Sequence, residues 1–275
     1  MLQLTCPLLL AAALLLCGHQ ILAAQTVPRP SHVVIVVEEN HSYSEIINSP
    51  QAPFLNTLAS EGALFTSSYA VAHPSQPNYL ALFSGSTQGI TNDSCPHTLA
   101  GSSLAHQLLA ANKTFKAYSE GLPSAGSKVC ASGEYVRKHA PWTDFSDLPS
   151  AVNQPLTSFP INYANLPTVS FVIPNLLDDM HDGTIQQADS WLQTKLLGYV
   201  HWAKTNNSLL IVTWDEDDSS SSNRIPTIFV GPMVKPGKYG QKISHYNVLR
   251  TLEAMYGLRY LGHASSVLPI TNVWQ

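Results

Sequence analysis

Residues 32–37 read His-Val-Val-Ile-Val-Val, and the run stops at Glu38-Glu39-Asn40. β-Branched side chains are stiff at χ1 and favour the extended backbone. A run with no polar alternation is apolar on both faces, so it reads as a strand inside a sheet that is covered on two sides. The pattern recurs at residues 169–173 (VSFVI), ending in Pro174-Asn175, and at residues 208–214 (SLLIVTW), ending in Asp215-Glu216-Asp217-Asp218. Residues 228–230 form a shorter fourth run. Helical patterns lie between them at about residues 52–61, 102–111, 186–204 and 246–256. Strands alternating with helices predict an α/β fold: a mostly parallel central sheet with helices on both faces. Residues 119–165, rich in Pro, Ser, Gly and Asn, read as a long excursion over the surface.

The chain has 275 residues, 44% hydrophobic and 12% charged, which excludes a disordered polymer. Its net charge of −4, with 14 Lys and Arg scattered along it, excludes a nucleic-acid binder, which needs clustered basic surface. Residues 7–16 (PLLLAAALLL) are too short to span a bilayer and fit the apolar part of a secretory signal cleaved after Ala24. No Lys or Arg precedes that run, and bulky Leu16 before Cys17 argues against a lipoprotein signal. The expectation is a signal peptide at 1–24, a single domain at 25–275, and a secreted or periplasmic protein without stable membrane insertion. Its removal leaves Cys95 and Cys130, which in an exported protein read as a disulfide, the alternative being two buried thiols. Glycosylation sequons begin at Asn40, Asn92, Asn112 and Asn206.

In sheets of this kind ligands bind at the carboxyl ends of the strands. Three strands here lead into polar clusters: Glu39-Asn40, Asp178-Asp179-Met180-His181-Asp182-Gly183, and Asp215 to Asp218. Each alone could be a solvated turn. Carboxylates converging on one edge repel one another unless a cation lies between them, and oxygen ligands with one or two His suit a divalent metal. In His73-Pro74-Ser75-Gln76-Pro77-Asn78-Tyr79 two prolines bracket a serine, which reads as a stiff loop presenting a nucleophile or as a plain turn. A sulfatase loop needs Arg where Tyr79 stands.

HVVIVVEENHSYSEII, HPSQPNYLALFSG, NLLDDMHDG, IVTWDEDD and SHYNVLRTLEAMYGL occur in this order. Together they resemble the phosphoesterase family of bacterial acid phosphatases and phospholipases C, within the alkaline phosphatase superfamily. The resemblance runs from about His32 to Leu261. It implies a core like that of alkaline phosphatase and one divalent metal ion held by Glu39, Asn40, Ser75, Asp215 and Glu216. It further implies Ser75 as nucleophile, Asn40 as a stabiliser of phosphoryl charge, and His181 and His245 as groups that hold the phosphoryl or move protons. Asp182 would orient His181 or bind directly. Glu39 and Glu216 stand where the wider superfamily often has Asp and His, which favours one oxygen-rich site over a two-zinc site. His73 and Asn78 are substrate-contact candidates, with a loop role as the alternative. His41 is a weaker candidate and His263 could line the pocket. His97, His106, His139 and His201 read as surface or helix residues.

The expected activity is hydrolysis of small-molecule phosphate monoesters through a phosphoserine, with a histidine near its ordinary pKa suiting an acidic optimum. Phospholipase C is the close alternative, disfavoured by a chain that ends soon after its last helix and by the lack of a basic amphipathic helix. A non-catalytic metal-stabilised binding protein is the alternative of another class. Oligomeric state is not legible.

Overall fold

A computed structural model describes residues 27–275, with residue 1; the expected signal segment, with Cys6 and Cys17, lies outside the described residues. The central sheet has eight strands. In chain order they are β1 (His32–Glu38), β2 (Ala63–Phe65), β3 (Phe115–Ser119), β4 (Asn153–Pro155), β5 (Val169–Ile173), β6 (Ser208–Trp214), β7 (Thr227–Val230) and β8 (Gly237–Tyr239). Their spatial order is β8-β2-β7-β6-β1-β5-β3-β4. β1 lies between β5 and β6, parallel to both, with Ile35 opposite Phe171 on one side and Ile211 on the other. The pairs β3–β5, β3–β4 and β8–β2 are also parallel, whereas β7 runs antiparallel to both β6 and β2. Seven strands therefore point one way, and the expected fourth strand, β7, is the exception.

Among the described residues, five helices longer than one turn cover the sheet: α1 (Pro53–Glu61), α2 (Ser75–Ser84), α3 (Leu104–Ala110), α4 (Ile185–Ala203) and α5 (His245–Tyr256). The pleat sorts β1 between two cores. Val33, Ile35 and Val37 face α2, α3 and α5; Val34 and Val36 face α1 and α4. That division is why the run shows no polar alternation.

Two expectations are corrected. The His73–Tyr79 stretch is not a loop: Pro74 is the N-cap and Ser75 the first residue of α2. A proline in a first helical turn has no intrahelical N–H to lose, so Pro77 does not break the helix. Residues 119–165 are not only a surface excursion, because Arg137, His139, Trp142, Asp144 and Phe145 are buried and β4 belongs to the sheet. Trp142 packs among Phe83, Phe115 and Phe171, with ring centroids 5.9–6.5 Å apart, contacts worth about 0.5–1.5 kcal/mol each beyond area burial. The Trp142 indole N–H donates to Asn153 Oδ1 at 2.8 Å. Cys95 and Cys130 are joined in a disulfide, as expected.

Candidate active site

The carboxyl ends of β1, β5 and β6 meet the first turn of α2. Beyond β1, Glu39 is fully buried and Asn40 turns the chain at φ 45°, a left-handed conformation that Asn tolerates. Beyond β6, Asp215, Glu216 and Asp217 are buried in succession. Ser75 Oγ lies 3.1 Å from Glu39 Oε2 and 3.1 Å from Glu216 Oε1. The Asn40 backbone N–H donates to Asp215 Oδ1 at 3.2 Å. All five expected metal-site residues therefore converge.

Their charges are not balanced by one another. Burial pushes the Glu39 carboxyl well above its ordinary range, with the Asp179 charge adding to it. Burial does the same to Asp215, with Glu39 and Glu216 adding. Glu216 is raised mainly by burial, against the pull of His73, whose Nδ1 contacts Glu216 Oε2. Among the described residues, Asp215 Oδ2 has no hydrogen-bond partner. The Asn40 amide reaches to 3.2 Å from Glu39 Oε2 and 3.3 Å from Glu216 Oε1. Turned nitrogen-inward it donates to both; turned oxygen-inward it completes a ring of oxygens that only a cation satisfies. This donor set fits a hard divalent metal.

Glu39 is also held from its other oxygen. The Tyr79 hydroxyl donates to Oε1, and His139 Nε2 lies 3.1 Å from the same atom. The His139 ring stacks on Tyr79 at 4.9 Å, and its Nδ1 is 3.6 Å from Asp179 Oδ2. Burial holds His139 well below its ordinary pKa. Glu39, His139 and Asp179 offer ligand atoms within 4.8 Å of one another, a second grouping able to hold a metal. Reading His139 as a surface or helix residue is thus corrected. Tyr79 follows Ser75 by four residues, so both share one helix face, a signal that required placing the helix start at Ser75.

The remaining expected residues are placed less uniformly. His181 is partly exposed, with Nδ1 2.7 Å from Asp182 Oδ1. His245, first residue of α5, is buried with Nε2 donating to the Asp215 carbonyl at 2.7 Å. Burial lowers it to about 4, so it stays neutral at pH 5–6. The acidic optimum expected from histidine protonation therefore draws nothing from His245. His73 is 40% exposed and could meet a ligand. Asn78 is corrected from a substrate contact to a loop anchor. It accepts from the Val71 and Ala72 N–H groups and donates to the Ala72 and Pro74 carbonyls, leaving no free polar atom. Asp217 takes the N–H groups of Ser219, Ser221 and Asn223, fixing the serine run that follows the β6 carboxylates.

A serine set among buried carboxylates at the strand ends of an α/β sheet is the arrangement of a phosphoric ester hydrolase. The chain belongs to the Phosphoesterase family, whose profile matches residues 47–259. A phosphatidylinositol-3-phosphatase of Mycobacterium tuberculosis is 54% identical over 256 residues, covering 92% of this chain and 86% of that protein. A phosphate-repressible acid phosphatase of Penicillium chrysogenum is 31% identical over 76% of this chain and 55% of its own length. The chain thus spans about half of that fungal relative. Among solved structures, the lipoteichoic acid synthase LtaP from Listeria monocytogenes superposes with a TM-score of 0.62 at 13% identity, covering 86% of this chain and 74% of its own. A protein of the alkaline phosphatase superfamily from Vibrio parahaemolyticus gives 0.60 at 14%, covering 86% and 69%. These two share the fold.

Proposed function

We propose that this chain is a secreted, divalent-metal-dependent phosphatase that hydrolyses phosphate monoesters through a phosphoserine on Ser75. One observation carries the reading: Ser75 Oγ opens helix α2 while lying 3.1 Å from each of two buried carboxylates, Glu39 and Glu216. A bound divalent ion, held by Glu39, Asn40, Asp215, Glu216 and Ser75, would supply positive charge to the phosphoryl oxygens and acidify the serine. Ser75 Oγ attacks phosphorus in line as its proton passes to a neighbouring carboxylate, and the ester P–O bond breaks. His181, oriented by Asp182, gives the proton to the leaving oxygen and later takes one from the water that releases phosphate. His73 faces the ligand from the rim. The name of the mycobacterial relative makes a phosphoinositide headgroup a substrate to test beside simple aryl phosphates.

The test compares p-nitrophenyl phosphate, p-nitrophenyl phosphorylcholine and a soluble phosphatidylinositol 3-phosphate, each with and without chelator. Chelator-sensitive release from monoesters is expected, and Ser75→Ala loses about a thousandfold or more in kcat. Preference for the diester, or full activity in Ser75→Ala, refutes the reading.

A further inference from the structure

Glu39, Asp215 and Glu216 carry more negative charge than a single divalent ion cancels, and a phosphate ester adds its own. Charge developing on the phosphoryl oxygens is best met by a fixed, preorganised cation in a water-poor site.

Lys138 occupies such a position. It sits in a short turn, Arg137–His139, with both neighbours bolted down. Arg137 is buried and donates to the Lys128 and Thr143 carbonyls, to Thr143 Oγ1 and, at 2.8 Å, to Asp144 Oδ1. His139 is stacked on Tyr79 and abuts Glu39. Lys138 Nζ lies 3.0 Å from Asp93 Oδ2, with the lysine side chain 16% exposed. The other Asp93 oxygen accepts the backbone N–H of Gln76 at 2.9 Å, the residue after Ser75. A single carboxylate thus links the ammonium to the nucleophile's helix turn. The Cys95–Cys130 disulfide ties the two segments together, two residues past Asp93 and eight before Lys138. Burial works against the Lys138 charge, but Glu39, Asp93 and Asp215 outweigh it; the ammonium in turn opposes the burial that raises Glu39 and Asp179.

We propose that Lys138, held in place by Asp93, is the phosphoryl-binding cation of this site, donating to a non-bridging oxygen of the phosphate ester and of the inorganic phosphate product. The inference rests on Ser75 being the phosphoryl acceptor. Asp93 is anchored to the α2 backbone, so it cannot follow the lysine; the ammonium is preset and partly neutralised until the dianion arrives. Sequence gave no sign of this, because Lys138 lies in the stretch that reads as a surface excursion.

The test uses inorganic phosphate as a competitive inhibitor of p-nitrophenyl phosphate hydrolysis, and calorimetric binding of inorganic phosphate to the Ser75→Ala protein with the metal present. Lys138→Met should raise the phosphate inhibition constant and KM at least tenfold, and Lys138→Arg should stay within a few-fold of wild type. Asp93→Asn keeps the bond to Gln76 and removes the competing charge, so phosphate should bind two- to fivefold tighter. A Lys138→Met protein that melts lower but binds phosphate as wild type does would reduce the pair to a structural ion pair and overturn the proposal. So would unchanged or weaker phosphate binding in Asp93→Asn, which decides the matter even if Lys138→Met fails to fold. If the wild-type protein neither turns over the ester nor binds phosphate, the Ser75 reading itself falls and the inference falls with it.

Discussion

Replacing Asp179 by Asn should make the metal-free protein less sensitive to pH. Burial pushes the Asp179 carboxyl from its ordinary 3.8 up to about 8, with the His181 N–H opposing and the Asp215 charge adding. Its folded-state pKa is therefore raised, so the folded chain keeps a proton that the unfolded chain releases above about pH 4. Stability from this group is complete below that point and is lost as pH rises toward 8. Each unit in that window is worth about 1.4 kcal/mol, so moving from pH 5 to 7 removes up to about 3 kcal/mol. Asn cannot ionise, and its Oδ1 can still accept the His181 N–H that Asp179 accepts at 2.8 Å. Denaturant unfolding in chelator, at pH 5 and 7, should show wild type losing this increment and Asp179→Asn losing much less. Divalent metal at a hundred times its Kd should restore about 2.7 kcal/mol at pH 7. Equal pH slopes for the two proteins would refute the claim that Asp179 is buried in a protonated form.

Glu253 gives a control outside the carboxylate cluster: burial, the Leu261 N–H and Arg250 act on it. Burial lifts it to about 7 although the Leu261 N–H donates to it at 2.8 Å. By the same sign, Glu253→Gln should stabilise the protein at pH 8 by about 2 kcal/mol and change little at pH 5, read by the same unfolding curves. Gly183→Ala would place a Cβ 1.8 Å from the Leu177 carbonyl oxygen, so the turn carrying His181 must open. A loss of at least about 3 kcal/mol and of most ester hydrolysis is expected, measured by thermal unfolding and initial rates. Serine at both Cys95 and Cys130 frees a loop with a sequence separation of 35, worth about 3–4 kcal/mol in the chain-entropy account. That protein should unfold at lower denaturant and also bind inorganic phosphate more weakly.

The strands that end in acidic clusters were legible because full burial erases polar alternation and leaves β-branched runs that only a covered sheet explains. That is why Glu39, Asp215 and Glu216 could be placed at one edge before any geometry. Helix α2 was not legible in the same way. Two prolines within four residues suggest a loop until Pro74 is seen as a cap, and the link from Ser75 to Tyr79 depends on that. His139 and Lys138 were hidden for another reason. They sit in a Pro- and Ser-rich stretch without periodicity, and their position comes from one local pair, Arg137 with Asp144, and two distant contacts, Lys138 with Asp93 and His139 with Glu39. Asn78 shows the reverse error, since a polar residue beside a nucleophile is as readily an anchor for the loop before it.

Strand β1 is made first and stands at the centre of the sheet. During synthesis it has no strand partner until residues 169–173 emerge, and its second flank stays open until residues 208–214 follow. For that whole interval His-Val-Val-Ile-Val-Val is an unpaired, uncharged ribbon, the composition that seeds intermolecular pairing. Pairings so distant along the chain are also slow to form. The nascent protein is thus most adhesive in the stretch that later carries Glu39. Yield on refolding from denaturant should fall steeply with concentration, and a holdase that covers β1 would protect more product than one that covers the C-terminal helix.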